Sequence, residues 1–184
     1  VQGRDSLAVL NWLATANLDK PVGKVIYTQF LNVSGGVEAD LTITRLSETE
    51  FFVVTAAFTA THVHSWIQEN IKHDQFCVIT DVSSAYSMLN IQGPKSRSLI
   101  SSLTDPSLMS NESFPFGTSK TLEFGYQRAM AVRISYTGEL GYELYVPTEM
   151  TEYVYDKLLK EGEQFNLKHC GYHTLNSLRI EKAY

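Results

Sequence analysis

Leu7, Val9, Leu10, Trp12, Leu13 and Leu18 recur at helical spacing behind Asp5-Ser6, a pair suited to N-capping. This predicts a helix over 6–17 that stops before Pro21. Residues 24–31 are dense in β-branched and aromatic side chains; Ser34-Gly35-Gly36 and strict alternation over 37–46 then give the pattern of a β-hairpin. In its second strand Val37, Ala39, Leu41 and Ile43 share one face, and Glu38, Asp40, Thr42 and Thr44 the other. One face belongs to a core; the other meets water or a ligand. A third strand is predicted over Phe51–Thr55, then a helix carrying Val63, Trp66, Ile67 and Ile71 to about Lys72. Further strands are expected at 76–80 and at Tyr86–Gln92.

Gly93-Pro94 halts the last of these and opens a helix over 95–103, with Leu99, Ile100 and Leu103 as its apolar stripe. Residues 104–118, with Asp105-Pro106, Ser110-Asn111, Pro115 and Gly117, read as a loop. It is the expected boundary between two lobes, 1–104 and 118–184. Strands follow at 119–124, 128–136 and 141–146, the last two joined by Thr137-Gly138-Glu139-Leu140. A helix over 148–165 carries Met150, Val154, Leu158 and Leu159, and a final helix over 171–184 runs to the end of the chain. Hairpins interspersed with helices, without regular βα alternation, predict an α+β fold of mixed, largely antiparallel sheets with packed helices.

Composition adds exclusions. The 184 residues are 43% hydrophobic and 19% charged, an ordinary globular balance. With 15 Lys and Arg against 20 Asp and Glu the net charge is −5, which disfavours a partner held by its phosphate backbone, so no nucleic acid is expected. Cys77 and Cys170 allow neither a zinc ribbon nor a disulfide framework. No apolar run approaches a membrane span, so no membrane partner is expected. Val1 begins the chain without the basic flank or apolar core of a signal peptide, the look of a piece cut from something longer. Neither GxGxxG nor GxxxxGK[ST] occurs. His62 and His64, two apart on a predicted helix, point to different faces, so no metal is expected. Asn32-Val33-Ser34 and Asn111-Glu112-Ser113 match the glycosylation acceptor pattern, which is short enough to arise by chance.

Two carboxylates stand out. Asp40, on the polar face just after a Gly-Gly turn, can sit at the mouth of a cleft or on a solvated strand face. Glu143, in a short strand flanked by Tyr136 and Tyr145, suits a flat heterocycle with adjacent N–H donors, or else a cross-strand ion pair.

Five segments in order carry a resemblance. They are Tyr27-Thr-Gln-Phe-Leu-Asn32, Gly35-Gly-Val-Glu-Ala-Asp40-Leu, Asn90-Ile-Gln-Gly-Pro94, Ser135-Tyr-Thr-Gly-Glu-Leu-Gly-Tyr-Glu143-Leu and Ser177-Leu-Arg-Ile-Glu-Lys182. Together the chain resembles the folate-binding domain of the glycine-cleavage T-protein (aminomethyltransferase) family. Within it, Glu38-Ala39-Asp40, the 135–141 segment and the ending Leu178-Arg-Ile-Glu-Lys-Ala are similar to sarcosine and dimethylglycine dehydrogenases, sarcosine dehydrogenase first, helped by Asn111-Glu-Ser-Phe-Pro-Phe116. A family arginine falls at Leu175 and a family asparagine at Thr55, departures that also belong to the dehydrogenase branch.

The resemblance implies that residues 1–184 form a tetrahydrofolate site in a central cleft. Asp40 would stand as the catalytic carboxylate near N5 and N10, Glu143 would bind the pterin edge, and Tyr27 and Tyr136 would line the pocket. It further implies FAD in an N-terminal half, and a small C-terminal β domain, both outside these residues. The activity implied is oxidation of an N-methylated glycine, with tetrahydrofolate capturing the iminium or formaldehyde as 5,10-methylenetetrahydrofolate. The location implied is the mitochondrial matrix in a eukaryote and the cytoplasm otherwise. The alternatives are a true aminomethyltransferase and a non-catalytic relative, the regulatory subunit of pyruvate dehydrogenase phosphatase.

Overall fold

Alternation of apolar and polar residues along one hairpin organises the first of two units. The computed structural model describes residues Val1–Tyr184, divided into Val1–Asp81 and Val82–Tyr184. In the first unit β1 (Val25–Leu31), β2 (Val37–Arg45) and β3 (Phe51–Thr55) form an antiparallel sheet in chain order. Ala39, Leu41 and Ile43 of β2 are buried, as the alternation predicts, in a core with Leu10, Leu18, Phe30 and Phe51. Val37 of the same face is exposed, at the hairpin end. The connecting turn closes on Asn32, whose Oδ1 accepts from the amides of Ser34 and Gly36, with Gly35 at φ +80° where a side chain would be strained. Helix α1 (Ser6–Leu13) and helix α2 (Ala60–Glu69) supply Val9, Leu10, Leu13, Val63 and Ile67 to this core.

Three expectations need correcting here. The helix expected over 6–17 ends at Leu13. Ala14 is extended and bridges Phe30, while Asn11 Oδ1 accepts from Leu18 N at 2.8 Å, so the chain trades a last helical turn for contacts with the sheet. Asp5 does not cap α1; its carboxylate accepts from Phe76 N at 2.7 Å. Residues 76–80 form no strand, since only Val78 bridges Gln2; Cys77 and Ile79 pack on the first core while Phe76 and Val78, on the other face, are exposed.

In the second unit β4 (Tyr86–Gln92), β5 (Thr118–Phe124), β6 (Gln127–Arg133) and β7 (Gly141–Pro147) form a four-stranded sheet in the order β4-β7-β6-β5. Each neighbouring pair is antiparallel. Helices α3 (Ser96–Ser101), α4 (Thr151–Gly162) and α5 (Tyr172–Glu181) complete it. Its core holds Ile91, Leu122, Phe124, Tyr142, Leu144, Val146 and Val154, with the Phe114 and Tyr142 rings 5.6 Å apart. The expected lobe boundary at 104–118 therefore moves to Asp81. β4 pairs with β7 from Tyr86↔Pro147 to Gln92↔Gly141, and Met109 and Phe114 of the supposed linker are buried in the second core. The last helix also stops short of the chain end: Lys182 caps α5 and Ala183 takes φ +54°. The α+β class, with two antiparallel sheets and packed helices, stands as expected.

Candidate functional site

In the first unit, Asp40 of β2 lies opposite Gln29 of β1, which puts it diagonal to Tyr27, and the phenol Oη donates to Asp40 Oδ2 at 2.9 Å. Both side chains are open to solvent. Glu38, two residues earlier on the same face, is fully engaged. It accepts from Asn32 Nδ2 at 2.7 Å and pairs with His62 Nε2 of α2 at 2.9 Å, fastening the hairpin turn to the helix. This gives His62 a structural partner and leaves Asp40 as the carboxylate of β2 that can meet a ligand. Thr55, where the family asparagine falls, bonds Thr59 Oγ1 at 2.9 Å.

In the second unit, Glu143 of β7 sits between Asn90 of β4 and Val132 of β6. Its Oε2 accepts from Tyr145 Oη at 2.7 Å, two residues along the same face. The cross-strand ion pair does not form: none of the chain's ion pairs includes Glu143. Burial pushes its pKa above the ordinary carboxylate value, and the Tyr145 hydrogen bond opposes that rise. The Tyr145 phenol is itself pushed up, first by burial and then by the Glu143 charge. A carboxylate without a cation, partly withdrawn from water, can accept hydrogen bonds from a group that brings its own N–H donors.

Tyr136 stands in the β6–β7 connection. Arg179 of α5 places its guanidinium 4.3 Å from the Tyr136 ring centre and donates to its Oη at 3.0 Å. Lys182 pairs with Glu139 of the same connection at 2.8 Å, and Thr137 is wholly buried. α5 thus holds the 135–140 segment from two charged contacts. Leu175, half-buried on α5, brings no donor where the family arginine falls.

The structure joins Tyr27 to Asp40 and gives Glu143 and Tyr136 partners of their own. Motif reading did not name Asn90, Gln92 or Arg179 as site residues, and took Tyr145 only as an aromatic flank. The β7 alternation could have exposed Tyr145, because residues two apart on a strand share a face. The others depend on strand register and helix docking, which no local pattern carries.

An α+β domain of two antiparallel units, with carboxylates paired to tyrosines on its strands, is the class defined so far. The GCVT N-terminal domain family matches residues 1–184, and the chain belongs to it. It is 38% identical over 184 residues to 4-methylaminobutanoate oxidase (formaldehyde-forming) of Paenarthrobacter nicotinovorans, covering all of this chain and 22% of that protein. It is 34% identical to mitochondrial sarcosine dehydrogenase and 33% identical to the mitochondrial pyruvate dehydrogenase phosphatase regulatory subunit, both of Mus musculus. Each of those two alignments covers 99% of this chain and 21% of the relative, so the chain spans about a fifth of the length of these proteins. Among solved structures, glycine cleavage system aminomethyltransferase T from Bartonella henselae superposes with a TM-score of 0.81 at 22% identity. The match takes in all of this chain and 47% of that one, and establishes the fold.

Proposed function

We propose that this chain is the tetrahydrofolate-binding, one-carbon acceptor domain of a flavin-dependent enzyme that oxidises an N-methylated glycine or a closely related N-methyl amino acid. The product is 5,10-methylenetetrahydrofolate. The observation that carries this reading is Glu143: partly buried, hydrogen-bonded to Tyr145 and without a cation, it suits the adjacent N–H donors of a pterin edge. Relatives named for N-methylated substrates, one of them for releasing formaldehyde, supply the chemistry that such an acceptor would serve.

The residues divide the work. Glu143 holds the pterin edge, and Tyr136, fixed under Arg179, presents a flat aromatic wall to it. Asp40 is exposed and tied to Tyr27, so it can receive a proton or stabilise a cation at the reacting nitrogen while the phenol holds its orientation. This chain has no glycine-rich strand-to-helix turn for a dinucleotide. Flavin, held elsewhere in the full-length protein, supplies the oxidation of the amine.

The test compares Glu143→Gln and Asp40→Asn in the full-length protein. Glu143→Gln weakens tetrahydrofolate binding, each lost charge-assisted bond costing about 1.5–3 kcal/mol. Asp40→Asn slows one-carbon transfer more than it weakens binding. If Asp40→Asn leaves transfer untouched, its strand face is merely solvated. If calorimetry of the unaltered protein detects no binding at millimolar tetrahydrofolate, the non-catalytic reading suggested by the regulatory-subunit relative is the better one.

A further inference from the structure

We infer that Asn90 is a specificity-determining residue beside Glu143, reading the oxygen at position 4 of the pterin, and that Gln92 is the positioning residue that sets which arm of the Asn90 amide faces the ligand. The inference deepens the folate reading above and rests on it. Asn90 lies directly across from Glu143 in the β4–β7 register, so the two side chains leave the sheet on one face with their β-carbons about 5 Å apart. Two residues on, Gln92 pairs with Gly141. A β-carbon at 141 would overlap the Gln92 amide, so the bare backbone there lets Gln92 lie across β7 and reach the β6–β7 connection.

That reach orients two amides in series. Gln92 Oε1 accepts from Ser135 Oγ and Thr137 Oγ1, each at 3.4 Å, and Thr137 is wholly buried. With its acceptor arm committed to hydroxyls, Gln92 turns its Nε2 to Asn90 and donates to Oδ1 at 2.5 Å. Asn90 therefore has its carbonyl engaged, and its Nδ2 is the arm left for a ligand on the face it shares with Glu143. An acceptor with a donor next to it matches the 2-amino-4-oxo edge of a reduced pterin. The amino group and ring N–H meet Glu143, and the 4-oxo group meets Asn90 Nδ2. A 4-amino group in that place would face a donor with a donor, and a site built to hydrogen-bond one group rejects the analogue that cannot reciprocate.

The experiment titrates the full-length protein with tetrahydrofolate and with its 4-amino analogue, and reads the ratio of the two affinities within each variant. That ratio is insensitive to the fraction of folded protein. The unaltered protein is expected to prefer the 4-oxo ligand by tenfold or more, about the worth of one well-placed hydrogen bond. Asn90→Leu narrows the ratio by the share due to the 4-position, leaving the share due to the ring N–H that the 4-amino analogue lacks opposite Glu143. Gln92→Glu has no donor arm, so Asn90 turns its Nδ2 to the new carboxylate and presents its carbonyl to the 4-position, and the ratio falls below that of Asn90→Leu, an outcome that loss of packing alone does not produce. An unchanged ratio in Asn90→Leu, with Glu143→Gln still weakening both ligands, overturns the role of Asn90 and leaves the folate reading standing. Absence of binding by the unaltered protein to either ligand overturns both.

Discussion

Glu143 is held at odds with its own charge. Burial makes its folded pKa higher than its unfolded one, so between the two values the folded state binds the proton that the unfolded chain has released. Stability therefore falls as pH rises from the ordinary carboxylate range, about 4.3, through the raised value, and stays lower above it. Glu143→Gln carries no charge and can still accept from Tyr145 Oη. It is expected to melt a few degrees higher than the unaltered protein at neutral pH, with the gain shrinking to nothing as pH falls below the carboxylate range. Thermal melts across that range check the sign, and a variant that melts no higher at neutral pH refutes the burial argument. Folate affinity should move the opposite way, since the ligand needs the ionised acceptor. The position of this carboxylate was legible in the chain from its aromatic surroundings and the resemblance. Its lack of a cation was not, because the choice between an ion pair and an unpaired carboxylate lies with Asn90 and Val132 on neighbouring strands.

At the end of β2, Arg45 ties the first sheet to its surroundings. Its side chain is buried, donating to Asp19 Oδ1 at 2.7 Å, Lys20 O at 2.6 Å and Glu48 Oε2 at 2.7 Å, and it lies 5.9 Å from the Phe51 ring centre. The two carboxylates are 67% and 80% exposed, so each is readily solvated when its partner is lost. Asp19→Ala or Glu48→Ala should cost about 1 kcal/mol or less, because the guanidinium keeps its remaining acceptors. Arg45→Ala should cost about 2–3 kcal/mol, since it bares the Lys20 carbonyl and removes packing on Phe51. Urea denaturation of the three variants decides it, and equal costs for Asp19→Ala and Arg45→Ala refute the asymmetry. Elements with a strong local signal were legible: β2 buries Ala39, Leu41 and Ile43 as its alternation predicts, and β3 and β4 fall at the residues expected. Where the period is outcompeted they were not. Asn11 and Ala14 end α1 a turn early through contacts made with Leu18 and Phe30, and 76–80 has strand composition but only Gln2 to pair with.

For the molecule as a whole, the boundary at Asp81 is a fact of pairing over long sequence distance. A loop rich in Asp, Pro, Ser and Gly at 104–118 looks like a linker, yet Phe114 within it is buried, and the strand before it pairs with one more than fifty residues further on. The chain covers 22% of the 4-methylaminobutanoate oxidase and 21% of the sarcosine dehydrogenase it matches, and the function proposed above puts the flavin in the rest of the full-length protein. It follows that Glu143→Gln and Asp40→Asn, whatever they do to folate, should leave anaerobic reduction of the flavin by the amine within about twofold of the unaltered rate, a difference smaller than half a kcal/mol. Stopped-flow spectra of both variants test this, and if both lose flavin reduction the separation of the two sites is wrong.

Gly141 has a bearing on how such a protein could be redesigned. By residue preference alone, a glycine inside a strand invites replacement with valine or threonine, and a stabilisation screen would favour the change. Here the vacancy above its backbone is occupied by the amide of Gln92. A design that optimises the strand at this position would gain local order and lose the orientation of Asn90, retaining a well-folded protein with a blunted sense of its ligand. The positions at which sequence optimisation should be forbidden are therefore not confined to residues that touch the substrate; they include one whose contribution is to have no side chain.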